Sequence, residues 1–198
     1  MAKITEHPYN EKHRQIIQTG KDLFFRFGIK RVTVEEICKE ANVSKMTFYK
    51  HFSNKIELAK EIIHTIVAES LIQYRELMDR TDISFEEKVR QTIQMKMDGT
   101  SEISEAYFDD YLIHSDPDLA AFIQAESGKV LFEILNDYVE AQKRGEMRQD
   151  IKPEFILFFL NHILDLAKDE KLLRIYEHPQ KLIMELVNFF FYGIMNRK

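Results

Sequence analysis

Between Val43 and Phe52 the chain reads VSKMTFYKHF. Lys45 and Lys50 carry fixed positive charge there, Thr47, Tyr49 and His51 carry hydrogen-bonding groups, and Met46 offers soft apolar surface. Val43, Phe48 and Phe52 recur at core spacing, so they pin one side of a short helix and leave the other six facing outward or to a rim. Such a set suits an anionic polymer with readable edges. A lysine such as Lys45 donates to a guanine edge, and a methionine such as Met46 packs on a thymine methyl. Thr47, Tyr49 and His51 are placed to reach phosphates, contacts that position a protein without specifying sequence. Ser44 caps the helix, and Lys55 adds charge beside the N–H groups that open the next one, a natural phosphate seat. Seven helical residues measure roughly 10 Å, a fit for a major groove about 12 Å wide. Any one of these residues alone reads as ordinary surface. The cap, the apolar pins and the basic rim agree in one register, which the bland reading does not explain.

Other chemistries find little support. No Gly-rich phosphate loop, no HExxH and no Cys or His pair at metal spacing occurs, so an enzyme, a cofactor and a bound metal are not expected. Asp110 and His114 lie four apart near Glu102, Glu105 and Asp109, a run that more often forms a solvated face than a metal cluster. The one cysteine, Cys38, excludes an internal disulfide, and its helical register points it inward. The chain of 198 residues has net charge −5, but residues 1–60 hold twelve Lys+Arg against seven Asp+Glu. A basic head on an acidic body implies an anionic partner at the head. The polar opening MAKITEHPYNEKH lacks a signal peptide's apolar run, and residues 182–195 are too short and too interrupted to span a bilayer. A cytoplasmic protein with no membrane partner is expected.

The elements that must position the basic turn are helical. Gly (6) and Pro (4) are scarce and strand-like alternation is missing, so the spacing predicts an all-α protein of about nine helices. The first runs about 10–27 on Ile16, Ile17, Leu23, Phe24 and Phe27, and Gly28 stops it. Thr33 with Glu36 reads as a capping box for the second, Asn42 as a turn residue, and Ser53 or Asn54 as the cap of a fourth helix reaching about Arg80. Further starts are legible at SFEE (84–87), Asp116-Pro117, Pro153 and Pro179, and Gly145 ends the helix before Pro153. Two helices joined by a tight turn, the second about seven residues long, make a helix-turn-helix. Residues 1–54 are expected to form this DNA-binding domain and 55–198 a helical effector-binding and dimerisation domain.

The stretch IIQTGKDLFFRFGIKRVTVEEICKEANVSKMTFYKHFSNKIEL, residues 16–58, resembles the DNA-binding domain of the tetracycline-repressor (TetR-like) family. Phe24, Gly28, Thr33-Val34, Ile37, Ala41, Val43-Ser44, Thr47, Tyr49, Phe52, Lys55 and Leu58 stand at the family's usual spacings. The resemblance implies a cytoplasmic homodimeric transcription regulator, usually a repressor, whose C-terminal helices bind a small molecule. It assigns Lys45 and Met46 to bases, Tyr49 to base or phosphate, and Thr33, Thr47, His51 and Lys55 to the DNA backbone. Three positions depart from the pattern. Gly20 replaces a usual alanine, an expected cost to the first helix of about 0.5–1 kcal/mol; Asn42 replaces a glycine; Met46 stands where a small residue is frequent.

One short helix reads few base pairs, and specific sites need about 4–10 kcal/mol over random DNA, so a palindromic operator and two copies are expected. Helices 153–168 and 179–196 are apolar on more than one face, which asks for a second cover. Phe155, Phe158, Phe159, His162, Leu166, Leu186, Phe189 and Phe190 are the candidate dimer interface. Tyr74, Met95, Phe108, Tyr111, His114, Phe122 and Phe132 are candidates for an effector pocket by location and aromatic or adaptable character, although such stripes are usually core. The expected activity is repression relieved by a small effector that swings the fourth helix and changes the spacing of the two heads; control by a protein partner without a ligand, or a helical enzyme, are the alternatives.

Overall fold

The computed structural model describes residues 8–166, 169–176 and 179–195. Among them stand ten α-helices and no strand, beyond one isolated antiparallel bridge between Met147 and Met195. The helices are α1 (Pro8–Phe27), α2 (Val34–Glu40), α3 (Lys45–His51), α4 (Lys55–Met78), α5 (Phe85–Thr100), α6 (Glu105–Phe108), α7 (Pro117–Lys143), α8 (Pro153–Leu166), α9 (Glu170–Ile175) and α10 (Pro179–Ile194). A π-helical turn, Asp109–Ile113, continues α6. No helix among the described residues is long and apolar enough to cross a membrane. The last two positions of the expected helix 153–168, and residue 196 of the expected helix 179–196, lie outside the described residues.

The starts read from local chemistry are found where expected. Thr33 and Glu36 form the full capping box of α2, and Asn54 Oδ1 accepts from the backbone N–H groups of Ile56 and Glu57 at the head of α4. Asp116 Oδ1 accepts from Asp118 and Leu119 at the start of α7. At α5 only half of the expected box forms. Ser84 Oγ accepts from Glu87 N, but the Glu87 carboxylate is drawn to Arg90 and Gln91 instead. The count exceeds nine because α6 with its π turn and α9 are too short to show an apolar period; α9 buries none of its side chains.

The chain forms two compact units. One holds the described residues up to Ile66 together with Ile103–Ile123; the other holds Val67–Glu102 and Gln124 onward. The boundary therefore falls within α4 and not at residue 54, and a segment from the middle of the chain joins the head. In this first unit Ile16, Phe24, Val32, Ile37, Phe48 and Leu58 are fully enclosed. Gly20 is a point of close approach: a Cβ there would stand 2.7 Å from Leu58 Cδ2. The expected helix penalty is thus offset by tight α1–α4 contact that alanine would disturb. Gly28, at φ +84°, turns the chain after α1. The joining segment fastens to that turn: Ser104 N donates to Phe25 O at 2.9 Å, and Lys30 N donates to the buried Asp110 carboxylate at 2.8 Å.

The second unit has its core in Phe85, Val89, Tyr138, Ala141, Met147, Ile156, Val187, Phe190, Phe191 and Ile194. Gln142, nearly buried, closes the α7–α8 turn by donating to the carbonyls of Arg148 and Ile151 at 2.8 and 2.7 Å. Gly145 makes the sharp bend there at φ +75°.

Candidate nucleic-acid interface

The basic turn is held from behind. Asn42 takes a left-handed conformation (φ 48°), and Val43 N donates to Cys38 O, closing the α2–α3 turn. Ser44 Oγ accepts from Thr47 N at 3.0 Å and starts α3. Phe48 is fully buried and Phe52 nearly so, which fixes the rotation of α3. Lys45, Met46, Tyr49 and Lys50 are left on the open face. Met46 is 69% and Tyr49 54% exposed, an apolar outlay that a partner surface would recover. The Tyr49 ring stands edge-on to Phe48 at 5.5 Å, so its direction is set although its face is free.

Lys45 pairs with the Glu35 carboxylate of α2. The hydrogen bond that Lys45 Nζ donates to Glu35 holds the ammonium's pKa above its usual value, and the same bond lowers that of the Glu35 carboxyl. Both side chains are largely exposed, so the pair adds little stability and exchanges readily for a phosphate or a base edge. Thr47 is half-buried, with its hydroxyl 2.9 Å from Ser44 Oγ.

Three expected contacts are placed otherwise. Lys55 turns inward: its Nζ donates to Lys30 O at 2.7 Å and Val32 O at 2.9 Å, and burial pushes its pKa down. It closes the α1–α2 loop and is not presented to a phosphate. Thr33 spends its side chain on the capping box, with Oγ1 and backbone N–H both bonded to the Glu36 carboxylate. His51 is half-buried against the rings of His13 (5.3 Å) and Phe52 (6.4 Å). Burial first, then His13 and Lys50, lower its pKa, so at neutral pH it offers a neutral imidazole and no cation.

The expected pocket residues divide between the units. Phe108 is buried, Tyr111 stacks on Tyr107 at 5.8 Å, His114 is exposed and bonded to Asp109, and Phe122 is half-buried, all in the first unit. Tyr74 is buried, Met95 half-buried and Phe132 64% exposed in the second. Asp110 and His114 do not converge: Asp110 serves Lys30, and no group of metal-ligating side chains forms among the described residues.

Of the expected dimer residues, Phe155, Phe158, His162, Leu166 and Phe189 are exposed. Phe158 stacks on His162 at 4.1 Å. Phe190 is a core residue stacked on the half-buried Phe159 at 5.0 Å, and Leu186 is half-buried. Tyr192, 79% exposed and three residues after Phe189, belongs to the open face and was not expected, although its helical spacing signals it. A cleft of about 600 Å³ bordered by Phe155, Phe159, Phe189 and Arg148 lies beside it.

Comparison with known proteins agrees with this geometry. Residues 16–62 match the profile of bacterial regulatory proteins, tetR family. The transcriptional regulator TtgR of Pseudomonas putida is 30% identical over 66 residues, 33% of this chain and 31% of that one. An uncharacterised regulator of Bacillus subtilis, YhgD, is 32% identical over 83 residues, 42% of this chain and 43% of its own. These matches thus span less than half of either relative. Solved structures align over nearly the whole chain at lower identity. GusR of Salmonella enterica shares 18% identity over 94% of this chain and 98% of its own, with a TM-score of 0.69. A putative transcriptional regulator of Saccharomonospora viridis, solved in complex with choline, shares 18% over 95% and 100%, also at 0.69. Residues 16–62 are thus similar to the tetR family of bacterial regulatory proteins, and the chain as a whole shares the fold of these solved structures.

Proposed function

We propose that this chain is a DNA-binding transcription regulator that acts in the cytoplasm as a homodimer on a palindromic operator. In this reading it represses until a small molecule in its C-terminal helices releases the DNA. One observation carries the DNA part. Met46 and Tyr49 are exposed on a capped helix whose opposite face is locked by Phe48, between Lys45 and Lys50. Apolar and cationic side chains on one short rigid helix suit a groove that offers methyl groups, acceptors and phosphates together. Relatives of the head are named as transcriptional regulators, not enzymes. The Saccharomonospora viridis neighbour, which shares this fold, was solved in complex with choline, and that supports a small-molecule effector.

Selection of random duplex DNA by the full-length protein, with and without a metabolite extract, tests the reading. The expected outcome is a two-fold symmetric consensus, lost or weakened when the extract is present. Recovery of sequences without a common half-site at modest salt would overturn it.

A further inference from the structure

Glu35 and Lys45 stand on different helices of the first unit, yet their charged ends meet. Glu35 lies in the first turn of α2, and Lys45 is the first residue of α3. Lys45 Nζ donates to Glu35 Oε1 across the turn that joins the two helices. Neither side chain serves the core, since Ile37 and Cys38 are the buried residues of α2 and Phe48 is that of α3. Glu35 does not cap its helix either. That work falls to Glu36, whose carboxylate accepts from the Thr33 N–H and hydroxyl. Glu35 and Lys45 are both largely exposed, and Met46 beside Lys45 is exposed too.

A DNA edge that reaches this face meets a donor and an acceptor side by side. The lysine ammonium only donates, and the carboxylate only accepts. In the major groove guanine presents two acceptors, N7 and O6, and the cytosine paired with it presents the N4 amino donor. Each member of the ion pair then finds a partner within one base pair, so the bond they give up is replaced on both sides. A phosphate serves the ammonium alone, and its charge repels the carboxylate. Adenine sets its amino group beside a single acceptor, N7, so an A·T pair offers Lys45 less than guanine does.

We propose that Glu35 is a base-reading residue. Its carboxylate accepts from a cytosine N4 amino group while Lys45 Nζ donates to the guanine of the same pair, so α2 and α3 together select one G·C pair in each half-site. This rests on the DNA-binding reading above and adds to it a second helix and the identity of one base pair.

Selection of random duplex DNA by full-length wild type, Glu35→Ala and Lys45→Met, with sequencing of the bound pool, tests it. Glu35→Ala is expected to lower the preference for cytosine at one half-site position by about fivefold or more, the low end for one base contact. Lys45→Met is expected to flatten that same base pair, and the other positions keep their preferences in both variants. Should Glu35→Ala fail to fold, Glu35→Gln carries the comparison, with the preference moving from cytosine toward adenine, the base a glutamine reads. A consensus unchanged by Glu35→Ala overturns the base-reading role and leaves the DNA-binding reading standing. So does a loss spread evenly over all positions, which a merely structural carboxylate would give, or flattening of different base pairs by the two variants. Failure of wild type to yield any common half-site overturns both.

Discussion

Lys45 and Lys55 carry the same charge ten residues apart and do different work. Lys45 projects from α3 and is tied only to Glu35, an exposed partner it can leave. Lys55 is spent on two carbonyls of the α1–α2 loop. Lys55→Met should thus cost stability, about 1–3 kcal/mol for the carbonyls left without donors. It should leave the salt dependence of DNA binding unchanged. A phosphate ligand would lower that slope by about 1 when removed, so denaturant melts and a salt titration on one variant separate the two roles. Tyr49→Ala should do the reverse. Its ring is more than half exposed, so thermal melting should hardly move, while operator affinity falls about 5- to 100-fold, in the range of one lost groove contact. Fluorescence anisotropy at low salt measures it. The outward set Lys45, Met46, Tyr49 and Lys50 was legible from the sequence because Phe48 and Phe52, close by in the chain, fix the helix face. The inward turn of Lys55 was not, since its acceptors lie 25 and 23 residues earlier and only the tertiary fold brings them near.

Elements divide the same way, by how local their causes are. The caps at Thr33, Ser44, Ser84 and Asp116 bond within three residues, and each is visible in the chain as a Ser, Thr or Asp before a helical run. The π turn after α6 has no such mark. It places Asp110 against the turn at Gly28, a contact across some eighty residues that charge spacing alone had suggested for a metal or a solvated face. Gly28 is fixed twice over in that arrangement. Its φ of +84° disfavours any L side chain, and a Cβ would come within 2.7 Å of Asp110 Oδ2 and 3.1 Å of Ala106 O. Gly28→Ala should therefore destabilise the first unit by about 1–3 kcal/mol, read as a lower urea midpoint. Adding Asp110→Ala should relieve the contact but not the backbone strain. The double variant should then fall short of the summed losses of the two singles, a coupling that independent sites would not show.

At the scale of the molecule the open question is what covers α8 and α10. Phe155, Phe158, Phe189 and Tyr192 are each more than half exposed, on helices whose other faces fill the core of the second unit. Large rings left in water on adjacent helices are a standing cost that a second copy would remove. The count of apolar residues in both helices was legible in the sequence. Which face each ring took was not, because these helices are apolar nearly all round and Phe190 could as well have pointed outward. That ambiguity supplies the control. Phe158→Glu combined with Phe189→Glu should leave a folded protein that light scattering finds as a monomer at tens of micromolar. Its operator affinity should drop about 100-fold or more, since each half-site then binds alone. Phe190→Ala should behave differently. Its ring is buried and stacked on Phe159, so the loss should appear as about 3–5 kcal/mol of stability, whatever the oligomeric state. A double variant that stays dimeric would move the interface off these helices, and with it the operator symmetry that two heads impose.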